Sequence, residues 1–373
     1  MKTSERVIVA LSGGVDSAVA ALLLRDAGHD VECLHMTNWE DDGHCESAAD
    51  FQDARKIARQ LGLPLHRVNF SDEYRERVFE HFLAECRAGR TPNPDVLCNR
   101  EIKFGTLRAY ARRLDGTSVA TGHYARLAAD GGQPQLLKGA DPNKDQSYFL
   151  HAVDAAALAD VVFPLGGMLK SEVRARARAA NLASAHKKDS TGICFIGERR
   201  FGEFLQRYLP TEPGPIKEPG GRTIGEHCGL AFYTLGQRHG LAIGGLRGFG
   251  DEPWYVAEKQ TATNSLLVVQ GAEHPLLYKD WLAADAVHWI NDPPAGWDGG
   301  VVLQCRAKTR YRQPDQRCSA VRTGPDTLEV VFESPQRAVT PGQYVVFYSG
   351  DRCLGGATIR AAEMRHARLE AVG

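Results

Sequence analysis

Short apolar runs alternate with polar, glycine-marked turns through the first half of the chain. Residues 6–11 form one apolar run, and residues 18–24 are rich in Ala and Leu. Between them stands Ala10-Leu11-Ser12-Gly13-Gly14-Val15-Asp16-Ser17, so the pattern predicts a strand, a tight glycine turn and a helix. Val19, Leu22, Leu23 and Leu24 make that helix apolar over most of its circumference, as expected where other layers cover it. Gly28 stands where a helix C′ residue belongs. Residues 31–36 and 65–70 read as strands, and residues 46–61 and 72–88 as helices. Strands and helices alternating at these lengths predict a parallel sheet with helices on both faces.

Past Arg199 the pattern changes. Residues 201–209 read as a short helix, and Pro210, Pro213, Gly214, Pro215, Pro219, Gly220 and Gly221 make a linker-like stretch. Short strands and turns follow to the end. The alternations in residues 301–306 and 344–348 predict a small antiparallel sheet or barrel. The expected division is residues 1–209, a small central domain over 210–280, and a β domain over 281–373.

Composition narrows the partners. Lys and Arg number 45 against 46 Asp and Glu, a net charge of −1, so a nucleic-acid partner needs a local basic surface. No apolar run is long enough to span a bilayer and no signal peptide opens the chain, so a cytoplasmic protein without a membrane partner is expected. The nine cysteines, none in a Cys-x-x-Cys pair, read as reduced thiols, with any disulfide transient.

The glycine turn aims backbone N–H groups and a helix N-terminus at one point, where an anion can sit. It lacks the Gly-Lys-[Ser/Thr] ending of a Walker A loop and the spacing of a Rossmann turn. Met36 ends a strand at the carboxyl edge where open α/β sheets bind ligands, a position suited equally to plain core. Residues 118–121 read as a short strand, and Gly122 at its end is expected to admit a ligand to the backbone. Pro92 and Pro94 stiffen the approach to Asp95 and Cys98, and residues Phe104, Leu107, Ala111 and Leu114 share a helical spacing after them. Cys98 is thus expected at or just before a helix N-terminus, which lowers a thiol's pKa, with Asp95 near enough to exchange a proton with a bound base. A buried cysteine with a capping aspartate is the plainer alternative. Cys194 lies between Gly192 and Gly197, downstream of Lys187 and Lys188, whose charge favours a thiolate or persulfide anion. Lys144 and Gln146 are candidate contacts to phosphate and to a sugar or base edge. Residues 307–312 set three basic side chains beside Tyr311, a pattern for a stacked base with held phosphates or for a solvated strand.

The turn resembles the pyrophosphate loop of the ATP pyrophosphatases. With Asn93-Pro94-Asp95-Val96-Leu97-Cys98-Asn99 and Gly192-Ile193-Cys194-Phe195-Ile196-Gly197, the whole chain resembles the bacterial-type tRNA-specific 2-thiouridylases. The resemblance implies an adenine-nucleotide alpha hydrolase-like parallel-sheet domain, a small central domain and a C-terminal β-barrel. It implies ATP as co-substrate, bound by Ala10, Leu11, Ser12, Gly13, Gly14, Val15, Asp16, Ser17, Met36 and Gly122, with magnesium whose ligands are unassigned. It implies tRNA as substrate, a persulfide-carrying donor protein that loads Cys194, and a transient Cys98–Cys194 disulfide needing a reductant. Asp95 would be the acid/base. Asn93, Pro94, Asp95, His123, Lys144, Asp145, Gln146, Arg310, Tyr311 and Gln343 would meet the target base and the tRNA. An AMP-forming ligase of the argininosuccinate-synthase type, or a non-enzymatic ATP-dependent tRNA-binding protein, would use the same loop without needing both thiols.

Overall fold

A computed structural model describes residues 5–40, 46–188, 201–244 and 248–365. The predicted strand–turn–helix begins it: β1 (Arg6–Ala10), then the helix Val15–Asp26. Strands β2 (Asp30–Thr37), β3 (Leu65–Asn69), β4 (Ser118–Ala120) and, later in the chain, β7 (Val161–Val162) complete a five-stranded parallel sheet in the order β3-β2-β1-β4-β7. Side chains alternate across its faces. Val7, Val9 and Leu11 pack with Ala18, Val19 and Leu22 on one side, while Ile8 packs with Leu34, Phe82 and Leu107 on the other. Both faces are therefore covered, as a parallel sheet requires. The chain runs outward from β1 to β2 and β3, then returns to β4 on the opposite side, so the ligand crevice of such a sheet falls between the carboxyl ends of β1 and β4.

Two expectations about residues 93–114 are corrected. The helix begins at Pro94, with Asn93 as N-cap, and continues through Pro94–Leu97 into a ten-residue π-helical stretch, Cys98–Leu107. Cys98 therefore lies one turn inside the helix rather than at its N-terminus, because Asn93 and Pro94 supply the cap and the preset first φ. Phe104 does not share a face with Leu107, Ala111 and Leu114. It packs with Tyr148 and Val161, while the other three face the central core. The wider i→i+5 winding shifts the register that an α-helical spacing predicts.

The central domain is a four-stranded sheet, β10-β11-β8-β9, built from β8 (Gly214–Lys217), β9 (Thr223–His227), β10 (Trp254–Gln260) and β11 (Ser265–Gln270). Its core is continuous with the first domain: one cluster runs from Ile8 and Phe82 through Leu97 and Cys98 to Ile216, Val256 and Val268. The remaining six strands are β12 (Tyr278–Trp289), β13 (Leu303–Lys308), β14 (Gln316–Gly324), β15 (Thr327–Arg337), β16 (Tyr344–Ser349) and β17 (Arg352–Glu363). They pair in the order β12-β15-β14-β13-β16-β17, and β17 returns to β12, which closes the barrel. A hairpin from the first domain, β5 (Ala125–Asp130) and β6 (Gln133–Lys138), joins this sheet through Arg352 and Leu137. Among the described residues no helix is long and apolar enough to cross a membrane.

Candidate active site

Gly13 adopts φ +85°, and a Cβ there would meet the Asp50 carbonyl oxygen at 2.6 Å, so the turn closes only on glycine. Ser12 and Ser17 brace it: the Ser17 hydroxyl receives the Ser12 N–H at 3.2 Å and donates to the Gly14 carbonyl at 3.3 Å. Gly14 is the N-cap of the helix Val15–Asp26 and provides no side-chain cap, so the first-turn N–H groups face the crevice without a capping oxygen. That is the local design of an anion site. Behind it, the Leu11 carbonyl lies 2.9 Å from Nδ1 of buried His35. Burial holds the His35 pKa below its ordinary value, so the neutral ring donates from Nδ1.

Asp16 carries the charge of the turn. Lys170, the first residue of the helix Lys170–Ala179, donates to both Asp16 oxygens at 2.7 and 2.8 Å, and the Tyr124 phenol donates to Oδ1 at 2.7 Å. Gly122 packs directly against the loop. A Cβ there would stand 2.7 Å from the Ser17 nitrogen and 2.8 Å from the Asp16 carbonyl carbon, so the glycine admits the loop's own backbone. Met36 is half-buried against the central core. Just beyond it, Thr37 Oγ1 and Asn38 Oδ1 are buried with no hydrogen-bond partner among the described residues, which fits a polar ligand over this strand end. The braced glycine turn, the uncapped helix and these two oxygens fit the phosphates and base of an adenine nucleotide. Among the described residues no three His, Cys, Asp or Glu side chains converge, and no protein ligands are assigned to magnesium.

The second cluster surrounds residues 93–99. The Asn93 Oδ1 accepts the Asp95 N–H at 3.1 Å, fixing the helix start. Burial raises the Asp95 carboxyl above its ordinary range, partly opposed by Lys103. Cys98 is buried in the shared core. His123 is enclosed between Phe104 and Phe163, with Nδ1 2.7 Å from Thr121 Oγ1 and Nε2 3.5 Å from Lys103 Nζ. Burial, and then Lys103, drives its pKa well below the ordinary value, so this ring stays neutral. The Lys103 charge thus acts on both Asp95 and His123. No local motif marks it; only the folded helix brings its charge to bear on both.

Most of the expected tRNA contacts are engaged inside the chain. Asp145 is buried, accepts the N–H groups of Gly139 and Ser147 at 3.1 Å, and pairs with Lys308 at 3.0 Å. Gln146 accepts the Tyr124 N–H at 2.9 Å. The Arg310 guanidinium, its pKa lowered by burial, donates to the Leu235 carbonyl at 2.6 Å and to Thr340 Oγ1 at 2.9 Å. The Tyr311 ring lies against Phe149, and its hydroxyl donates to the Lys144 carbonyl at 3.3 Å. Gln343 donates to the Thr91 carbonyl at 2.7 Å. Cys194 lies outside the described residues. Upstream of it, Lys187 reaches Asp50 at 2.8 Å and Asp53 at 3.0 Å, on the helix Glu46–Leu61 that backs Gly13.

A parallel sheet with a braced, uncapped glycine turn at its switch point defines the N-terminal unit as an adenine-nucleotide alpha hydrolase-like domain. Three family models match in succession: "tRNA methyl transferase HUP domain" over residues 5–198, "tRNA methyl transferase PRC-barrel domain" over 202–270, and "Aminomethyltransferase beta-barrel domain" over 279–359. Curated relatives match nearly end to end. The tRNA-specific 2-thiouridylase of Methylococcus capsulatus is 56% identical over 98% of this chain and 99% of its own length. Those of Hahella chejuensis and Legionella pneumophila are 55% and 52% identical, covering 96% and 95% of this chain and 98% of their own lengths. The model descriptions speak of methyl transfer and the relatives' names of thiolation; the near-complete matches at over half identity decide between them. This chain belongs to the tRNA-specific 2-thiouridylase family.

Proposed function

We propose that this chain replaces the C2 oxygen of the wobble uridine of tRNA with sulfur, at the expense of ATP. The reading rests on the uncapped pyrophosphate loop sharing one domain with the Asn93–Cys98 helix start. The C2 oxygen of a urea-like ring is a poor leaving group. Its attack on the α-phosphorus forms a C2–O–P bond and releases pyrophosphate, whose charge the Ser12–Ser17 turn and its N–H groups receive. In this step the Asp16–Lys170 pair orders the helix start. Asp95, made a weaker acid by burial, holds and exchanges a proton with the base, and Asn93 and Pro94 shape its entry.

Sulfur comes from a persulfide on Cys194, loaded by a donor protein. Its terminal sulfur attacks C2, the C2–O bond breaks and AMP leaves. The Cys98 thiolate attacks the Cys194 Sγ, which breaks the sulfur–sulfur bond, leaves the thione on the base and forms the Cys98–Cys194 disulfide. Alternatively Cys98 attacks first, and the freed hydrosulfide adds to C2. Either order ends in the disulfide, and an external dithiol reduces it. Cys194 is seven residues from Lys187, so its chain reaches at most about 25 Å from that anchor. Lys187 itself is tied to the helix behind Gly13.

Mass spectrometry of tRNA nucleosides after incubation with ATP, a persulfide donor and a dithiol reductant tests this. The parent chain is expected to form 2-thiouridine, and Cys98→Ser and Cys194→Ser to form none. Full activity in either variant would refute the sulfur-transfer step, and AMP formation without thiolated tRNA would favour a ligase.

A further inference from the structure

The segment entering the Cys98 helix is held from two other domains. Thr91 stands two residues before the Asn93 N-cap, and all three of its polar groups are taken. Its N–H donates to the Pro341 carbonyl at 2.9 Å, its carbonyl accepts from Gln343 Nε2 at 2.7 Å, and its hydroxyl accepts from Lys259 Nζ at 3.1 Å. Lys259 also donates to the Gly89 carbonyl at 3.1 Å. Pro341 and Gln343 belong to the barrel, while Lys259 belongs to β10 of the central sheet.

Close backbone approach confirms that the fit is built. Gly342, at φ +90°, would place a Cβ 2.8 Å from the Thr91 nitrogen, and a Cβ on Gly89, at φ +77°, would lie 3.1 Å from Thr261 Cγ2. The neighbouring Arg90 is fixed as well: it forks onto Glu85, which Arg360 of the barrel also reaches at 3.2 Å.

We propose that Lys259 is a positioning residue for sulfur transfer, clasping Gly89 and Thr91 so that Asn93, Asp95 and Cys98 stand in register with the pyrophosphate loop. This inference rests on the proposed function. A buried ammonium is costly unless something specific uses it. Among the described residues no carboxylate pairs with Lys259, and burial pushes the ammonium down to about 8. Its donors go instead to two neutral oxygens of one loop. Pro92 and Pro94 restrict the backbone between Thr91 and the helix start, so a displacement at Thr91 is carried to Cys98 rather than absorbed.

Lys259→Met keeps the stem and removes the donors. Hydrogen–deuterium exchange of the amides of residues 95–98 is expected to speed up by about tenfold or more as the clasp opens. Single-turnover 2-thiouridine formation at saturating ATP and tRNA is expected to fall by about tenfold or more, as misplacement of a reacting group costs, while the KM for ATP stays within about twofold. Thr91→Val removes only the hydroxyl and is expected to show the same split with a smaller loss. It serves as the test where Lys259→Met fails to fold. Unchanged exchange at residues 95–98 in the variant that folds, or equal losses in rate and ATP KM, would overturn the proposal. A parent protein that makes no 2-thiouridine would sink the activity itself, and the exchange measurement would still decide the clasp.

Discussion

Replacing Lys308 separates the two roles open to Asp145, RNA contact and internal anchor. The Asp145 carboxylate is buried between domains: Oδ1 accepts two backbone N–H groups, and among the described residues Oδ2 meets the Lys308 ammonium. Their side chains are 3% and 9% exposed, so solvent screens the pair little. Lys308→Met strands Oδ2 without its partner, and breaking a buried pair from one side costs about 3–5 kcal/mol. Against a total stability of about 5–15 kcal/mol that is a large share. Asp145→Asn combined with Lys308→Met removes both charges and keeps Oδ1 for the two N–H groups, so it is expected to recover most of the loss. The assay is urea unfolding followed by tryptophan fluorescence, to which Trp289 and Trp297 of the barrel contribute. Fluorescence anisotropy of labelled tRNA, measured in parallel, reports binding. The anchor role predicts a markedly lower urea midpoint in Lys308→Met, restored in the double variant, with tRNA affinity near parental in the double variant. A Lys308→Met protein that unfolds at the parental midpoint would refute the reasoning, and a double variant of parental stability without tRNA affinity would return Asp145 to the RNA surface.

Two further substitutions probe the site by other measurements. Burial raises Asp95 above its unfolded value, so this carboxyl costs the fold nothing below the ordinary carboxylate range and destabilises it as pH rises through the raised value. Asp95→Asn is therefore expected to raise the Tm at about pH 7 and leave it near parental at about pH 3; equal shifts at both would count against a buried, strained carboxyl. Gly122→Ala forces a Cβ to within 2.7 Å of the Ser17 nitrogen, an overpacking of about 1–3 kcal/mol that the loop must yield to. The KM for ATP in tRNA-dependent pyrophosphate release is expected to rise about tenfold or more, and a parental KM would show that the loop tolerates the intrusion.

The loop was legible because every local signal agreed: an apolar strand, paired glycines and an Ala/Leu helix. The barrel was legible from period-2 alternation. Asn93 followed by Pro94 is an equally plain helix-start signal, and reading it as such would have placed Cys98 inside the helix from the start. Other features have no local signature. The hairpin β5–β6 finds its sheet partner in β17, far along the chain, and includes Pro134 on its edge. Lys103, Lys170 and Lys259 look like ordinary surface lysines in sequence. Only topology sets one against His123, one on Asp16, and one on Thr91.

The same topology gives polar residues of the barrel partners inside the chain. Lys308 and Arg310, read as part of the basic stretch over residues 307–312, and Gln343, by the family resemblance, suggest an RNA surface. In the fold each is spent on a loop of another domain: Lys308 on Asp145, Arg310 on Leu235, and Gln343 on Thr91. A phosphate that met the two cations or the Gln343 amide would have to compete with the protein oxygens that hold them. Of the three, Gln343 holds the segment that leads to Asp95 and Cys98, while Lys308 and Arg310 hold the chain at Asp145 and Leu235. A substitution at these residues that weakens thiolation is then expected to loosen those loops, and a salt titration tells the cases apart. Loss of a phosphate contact lowers the slope of log K against log salt by about one, whereas a displaced loop weakens binding at every salt concentration and leaves the slope unchanged.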